Sequence, residues 1–113
     1  MNKLSVLFLF AAFMLTINAC TKDDTTIAEV DCSTVTFTDV IFPIFEQGCN
    51  TSGCHGGTSY NPDFTTYETI KIFADNGKLQ KEVLDDRTMP KTGSLTAEEL
   101  GQIKCWLDAG APE

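Results

Sequence analysis

The chain has 113 residues, 42% of them hydrophobic, with 16 acidic against eight basic side chains and a formal net charge of −8. An acidic balance of this size argues against nucleic acid and against electrostatic attachment to anionic lipid. It favours a basic docking partner, or simply a solvated acidic face.

Residues 1–19 read as a secretion signal. Lys3 supplies a positive start, Leu4 to Ile17 is an almost unbroken apolar run, and small Ala19 precedes Cys20. The apolar run is too short for a comfortable membrane span. The ending Ile17-Asn18-Ala19-Cys20 resembles a bacterial lipobox. That resemblance implies cleavage before Cys20, lipidation of its thiol and new amino terminus, and stable anchoring through two or more acyl chains. The plainer reading is an ordinary cleaved signal with Cys20 left free. Loss of Lys3 would leave seven basic residues against 16 acidic ones. Residues 20–31, with Asp23, Asp24 and Glu29, read as a flexible acidic tether. Residues 32–113 form one small domain, near the size at which an apolar core needs a cross-link or a bound group.

Within that domain, Phe37, Val40, Ile41, Ile44 and Phe45 recur at helical spacing, with Thr38 or Asp39 as the cap and Pro43 near the first turn. Gly48 ends this helix directly before Cys49. Gly56, Gly57, Ser59, Asn61 and Pro62 mark a loop. Thr65-Thr-Tyr-Glu68 reads as a capping box opening a second helix to about Ala74, stopped by Asn76-Gly77. Lys78 to Leu84 is expected as a third, short helix around Leu79, Val83 and Leu84. Asp85 to Ser94 is a loop carrying Met89-Pro90. Thr96-Ala-Glu-Glu99 is a second capping box, opening a helix through Leu100, Ile103 and Leu107 with Gly110 as its stop and Pro112 beyond. Gly101 inside it suggests a close helix crossing. No run alternates with a strand period, so the expected class is all-α.

The chemistry concentrates in Cys49-Asn-Thr-Ser-Gly-Cys54-His55. Two thiols followed at once by an imidazole is the pattern of covalent haem attachment: each thiol adds to one porphyrin vinyl group, and the adjacent histidine reaches the iron. The usual motif places two residues between the cysteines, and this one places four, so the backbone must loop out. Ser52-Gly53 suits that. His55 is the only histidine, which excludes bis-histidine ligation within one molecule. Met1 and Met14 leave with the signal, so Met89 is the one thioether of the mature chain. If haem is bound, elimination leaves His55 and Met89 as the axial pair.

The order of elements resembles the small bacterial class I c-type cytochromes. The stretches Val40-Ile-Phe-Pro-Ile-Phe45, Cys54-His-Gly-Gly57, Met89-Pro90 and Ile103-Lys-Cys-Trp-Leu-Asp-Ala-Gly-Ala-Pro112 carry the likeness, which covers residues 37–112. It implies three to four helices around one covalently bound haem c, thioether bonds at Cys49 and Cys54, His55 as proximal and Met89 as distal iron ligand. The function it implies is single-electron transfer, without catalysis, between donor and acceptor proteins of the bacterial envelope.

Plainer readings stand beside these. Cys49 and Cys54 would also suit a small disulfide loop or pairing with Cys32 and Cys105, since four cysteines allow three connectivities. A zinc site on Cys49, Cys54 and His55 is awkward, because adjacent residues poorly serve one tetrahedral ion. Cys105 falls off the Leu100–Ile103–Leu107 stripe on a helical wheel. A Cys32–Cys105 disulfide is therefore expected as a staple, contributing about 3–4 kcal/mol in the chain-entropy model. Phe42, Phe45 and Phe64 read as core and Trp106 as a packing aromatic. Tyr67 is a candidate donor to a porphyrin propionate. Two functional rivals remain: a haem peroxidase or gas sensor with an open sixth site, and a haem-free, disulfide-stapled interaction module.

Overall fold

The computed structural model describes residues 26–57 and 59–113. The expected signal, the lipidation site Cys20 and the first part of the tether lie outside the described residues. Those residues form helices and loops with no strand; the only sheet-like pairing among them is an isolated bridge between Ser52 and Gly56. They are all-α, as the periodicity implied.

A single 3-10 turn, Cys32–Thr34, opens the order. The Asp31 carboxylate holds it by accepting from the Ser33 backbone N–H and hydroxyl, and those two bonds lower its pKa below the usual value. A wide π-helical turn, Phe37–Ile41, then runs into α1, Phe42–Gly48. The cap is Thr36, earlier than the expected Thr38 or Asp39. The Thr36 hydroxyl accepts from the Asp39 N–H and donates to the Asp39 carboxylate, both at 3.3 Å. Pro43 accounts for the wide turn. In a regular helix its ring would crowd the Asp39 carbonyl and its absent N–H would leave that carbonyl unpaired. The wider turn, closed by Phe42 N–H to Phe37 O, relieves that crowding.

Helix α2, Tyr67–Asp75, is capped by Thr66 rather than Thr65, with the Thr69 N–H donating to the Thr66 hydroxyl. The expected third helix is a second wide turn, Gln80–Asp85, closed by Asp86 N–H to Lys81 O at 2.8 Å. Helix α3, Ala97–Asp108, has both halves of the Thr96/Glu99 capping box. It packs on both wide turns.

The core is aromatic. Trp106 is 1% exposed and lies 5.7 Å from Phe37 and 6.5 Å from Phe45, centroid to centroid. Ile41, Ile70, Leu100 and Ile103 complete the buried layer. The chain end is tied back over this core. The Trp106 indole N–H donates to Pro112 O at 2.6 Å, and the Tyr67 hydroxyl donates to Ala111 O at 2.9 Å. Tyr67 thus commits its hydroxyl proton to the C-terminal tail. Gly110, at φ +86°, makes the reversal that lets Ala111 fold under, 2% exposed.

Gly101 does mark a close approach, but to extended chain and not to a helix. A Cβ there would sit 2.3 Å from Ala28 O and 3.1 Å from Val30 Cγ1. The Ala28 N–H donates to Ala97 O at 2.9 Å and Ile27 packs against the core, so residues 27–30 lie along α3. The disulfide Cys32–Cys105 closes the same seam, joining positions 73 apart in sequence. Cys105 is buried beneath that segment, although it lies off the main core stripe.

Candidate functional site

Helix α1 delivers Cys49. Its N–H and that of Asn50 both donate to Phe45 O, at 2.9 and 2.8 Å, so the helix end and the motif share one acceptor. The four intervening residues then turn back on themselves. Gly53 adopts φ +82°, a value most side chains resist, and the Cys54 N–H donates to Thr51 O at 3.0 Å. The His55 N–H closes the loop onto Cys49 O at 3.1 Å. The two extra residues of the motif are taken up in this closed turn, and Cys49 and His55 remain hydrogen-bonded neighbours. Gly56 is required by the return path, because a Cβ there would stand 2.4 Å from Asn50 O.

The histidine is held from two sides. Its Nδ1 lies 2.7 Å from the Pro62 carbonyl oxygen. Its ring stacks on Phe64 at 4.0 Å with 2° between the planes. Phe64 is itself buried, packs edge-on against Phe45 and Phe73, and donates its N–H to His55 O at 3.1 Å. The loop carrying Pro62 is pinned in turn: the Asn61 side-chain amide donates to Cys54 O at 2.9 Å, and the Ser59 hydroxyl donates to the same oxygen. The chain therefore wraps around the imidazole and returns to the motif that precedes it.

Met89 arrives from the far end of the second wide turn. The N–H groups of Thr88 and Met89 both donate to Glu82 O, at 2.9 and 3.0 Å, and the Met89-Pro90 bond is cis. Met89 is partly buried against the core.

Cys49, Cys54, His55 and Met89 line one cleft of about 330 Å³, within the lower range of small-molecule pockets. Phe64, Phe73, Leu79, Val83 and Pro90 form its apolar walls. Lys78, Glu82 and Lys91 are its charged members. A second cavity, of about 340 Å³, lies between residues 28–35 and the start of α3 and contains none of the expected site residues.

Cys49 and Cys54 are free thiols, and the only disulfide among the described residues leaves them apart from Cys32 and Cys105. Burial pushes the Cys49 thiol up to about 11, with nearby Cys54 and the Glu99 carboxylate adding to the effect. No three His, Cys, Asp or Glu side chains among the described residues gather as a metal-binding group, so Cys49, Cys54 and His55 do not converge as a zinc site would require.

The donor set suits haem better. A flat, largely apolar body needs an apolar cleft, an imidazole with one nitrogen already committed, and a soft sulfur. Cleft, His55 and Met89 meet those needs, and the two thiols lie on the same walls. Several members of this site carried no functional signal in the sequence. The Pro62 carbonyl and the Asn61 amide read there only as loop, and Phe64 only as core. Lys78 reads there only as a helix start and Lys91 only as loop, because nothing local announces that they share a cleft. No described helix is long and apolar enough to cross a membrane. No protein-family model, curated protein or solved structure matches the chain.

Proposed function

We propose that this protein is a monohaem c-type cytochrome of the bacterial cell envelope, anchored by lipid on Cys20, that passes single electrons between redox partners. The observation that carries the reading is the convergence of Cys49, Cys54, His55 and Met89 on one apolar cleft. These residues come from a helix end, a closed turn and a loop some thirty residues further on, and all four line the same cleft.

Each residue has a role on this reading. Cys49 and Cys54 hold the porphyrin through thioether bonds. His55 commits Nδ1–H to the Pro62 carbonyl, which leaves Nε2 with its lone pair as the proximal donor. A carbonyl partner also fixes the ring orientation and strengthens the basicity of the other nitrogen. Met89 supplies sulfur as the distal donor. When bound, haem provides a one-electron iron couple whose potential is raised by methionine ligation. A haem held by both His55 and Met89 would supply electron transfer and leave no iron position for a substrate. Phe64, Phe73, Leu79 and Val83 keep water from the cleft walls. The acidic exterior, at net charge −8, favours basic partner surfaces.

The test is to produce the full chain in a host that matures other cytochromes. Haem retained after denaturation is then measured by the reduced pyridine spectrum and by intact mass. One haem per chain, lost in the Cys49→Ala/Cys54→Ala variant, is the expected result. A colourless protein of unmodified polypeptide mass would sink the proposal and leave a disulfide-stapled interaction module in its place.

A further inference from the structure

The basic residues of this chain divide by position. Among the described residues, Lys71, Lys81 and Lys104 each form an ion pair, with Asp75, Asp86 and Asp108 respectively. The Arg87 guanidinium donates to Leu84 O at 3.0 Å. Lys78 and Lys91 pair with no carboxylate, and these two are the lysines that line the cleft. The Lys78 ammonium has only the Phe73 ring beneath it, 5.6 Å from the centroid. The one carboxylate lining the cleft, Glu82, accepts from the Thr88 hydroxyl. In a chain with 16 acids to eight bases, carboxylates are plentiful, yet among the described residues none forms an ion pair with these two ammonium groups. The mouth of an apolar cleft therefore carries positive charge on an otherwise acidic molecule. That combination fits a flat apolar ligand bearing carboxylates.

We propose that Lys78 and Lys91 bind the two propionate carboxylates of the haem and so set which edge of the porphyrin faces solvent. The inference rests on the cytochrome reading above. A porphyrin carries its propionates on a different edge from its vinyl groups, so the two ends of the ring need separate anchors. Cys49 and Cys54 hold the vinyl side. Lys78, at the entry to the Gln80–Asp85 turn, and Lys91, just beyond Pro90, come from independent segments and hold the carboxylate side. Charge-assisted hydrogen bonds of this kind are stronger than neutral ones.

Both lysines are exposed, so replacing them leaves the core untouched. The experiment compares matured wild type with Lys78→Gln, Lys91→Gln, the double variant, Lys78→Arg and Lys91→Arg. Lys71→Gln, outside the cleft, is the control. Resonance Raman spectra read the propionate bending vibrations, and voltammetry reads the reduction potential. The expected result is a shifted propionate band in each glutamine variant, additive in the double variant, with arginine retaining the wild-type band. The reduction potential falls in the same glutamine variants, because removing positive charge near the iron favours the ferric state. A lowered potential with an unmoved propionate band would overturn the contact and leave only a through-space charge effect. A coloured wild type whose variants change neither quantity overturns the lysine assignment alone. A wild-type chain that keeps no haem through denaturation overturns both this inference and the reading on which it rests.

Discussion

His55 and Pro62 are joined by a 2.7 Å contact between the imidazole Nδ1 and the proline carbonyl oxygen. A carbonyl only accepts, so Nδ1 carries the proton and Nε2 is the lone-pair nitrogen of the neutral ring. The position of that carbonyl depends on Asn61, whose side chain donates to Cys54 O. Asn61→Ala should lower stability by about 0.5–1 kcal/mol, the scale of one modest hydrogen bond. It should also speed solvent exchange of the His55 Nδ1 proton in NMR spectra. An exchange rate equal to that of wild type would mean that the Pro62 loop is held by other contacts.

Met89 decides between the cytochrome and an open-site haem protein. In the matured protein, Met89→Ala should abolish the weak near-infrared band of the sulfur–iron bond and lower the reduction potential, since thioether ligation favours the ferrous state. A spectrum unchanged by the substitution would favour a peroxidase or gas sensor.

The Cys49 thiol gives the haem-free chain a pH signature. Its folded value is about 11 against an ordinary 9.0, mainly through burial. Between those values the folded state holds more protons than the unfolded state, so the stabilisation present below pH 9 is lost as pH rises towards 11. Urea midpoints measured across that window should fall less steeply in Cys49→Ala than in wild type. Equal slopes would show that the thiol is not buried as described.

Two glycines are predicted to be sterically required. Gly56→Ala would drive a methyl to 2.4 Å from Asn50 O, and Gly101→Ala would drive one to 2.3 Å from Ala28 O. Overpacking of this kind costs about 1–3 kcal/mol. The consequences should differ. Gly56→Ala should reduce covalent haem incorporation by opening the loop between Cys49 and His55. Gly101→Ala should leave incorporation intact and expose residues 27–30 to limited proteolysis. Identical effects of the two variants would contradict this division.

The Cys32–Cys105 bond closes a long loop, so the chain-entropy model assigns it about 4 kcal/mol. A Cys32→Ser/Cys105→Ser variant should lose stability on that scale in denaturant titrations. The haem spectrum should be unaltered, because neither cysteine lines the cleft. A perturbed spectrum would place the staple closer to the cofactor than this geometry does.

Short-range features of this protein were legible from the chain alone. The spacing of Leu100, Ile103 and Leu107, the Thr96/Glu99 capping box and the Gly110 reversal define α3 because each depends on hydrogen bonds and side chains within a few residues. The same locality makes the looping-out of the backbone between Cys49 and Cys54 at Ser52-Gly53 legible. The place of Pro43 near a helix start follows from its own chemistry, but the wide turn that accommodates it, and the cap at Thr36, follow from the balance of several backbone hydrogen bonds that no single residue announces. Apart from the Cys32–Cys105 staple, contacts between distant segments were decided by tertiary packing. The neighbour of Gly101 proved to be extended chain, and the Tyr67 hydroxyl found Ala111 across 44 residues. Met89, Lys78 and Lys91 share one cleft with His55, whose Nδ1 meets the Pro62 carbonyl. Sequence periodicity specifies which face of each helix is apolar. It does not specify which other face covers it, and it is that pairing, driven by burial of Trp106, Phe45 and Phe64, that assembles the candidate site.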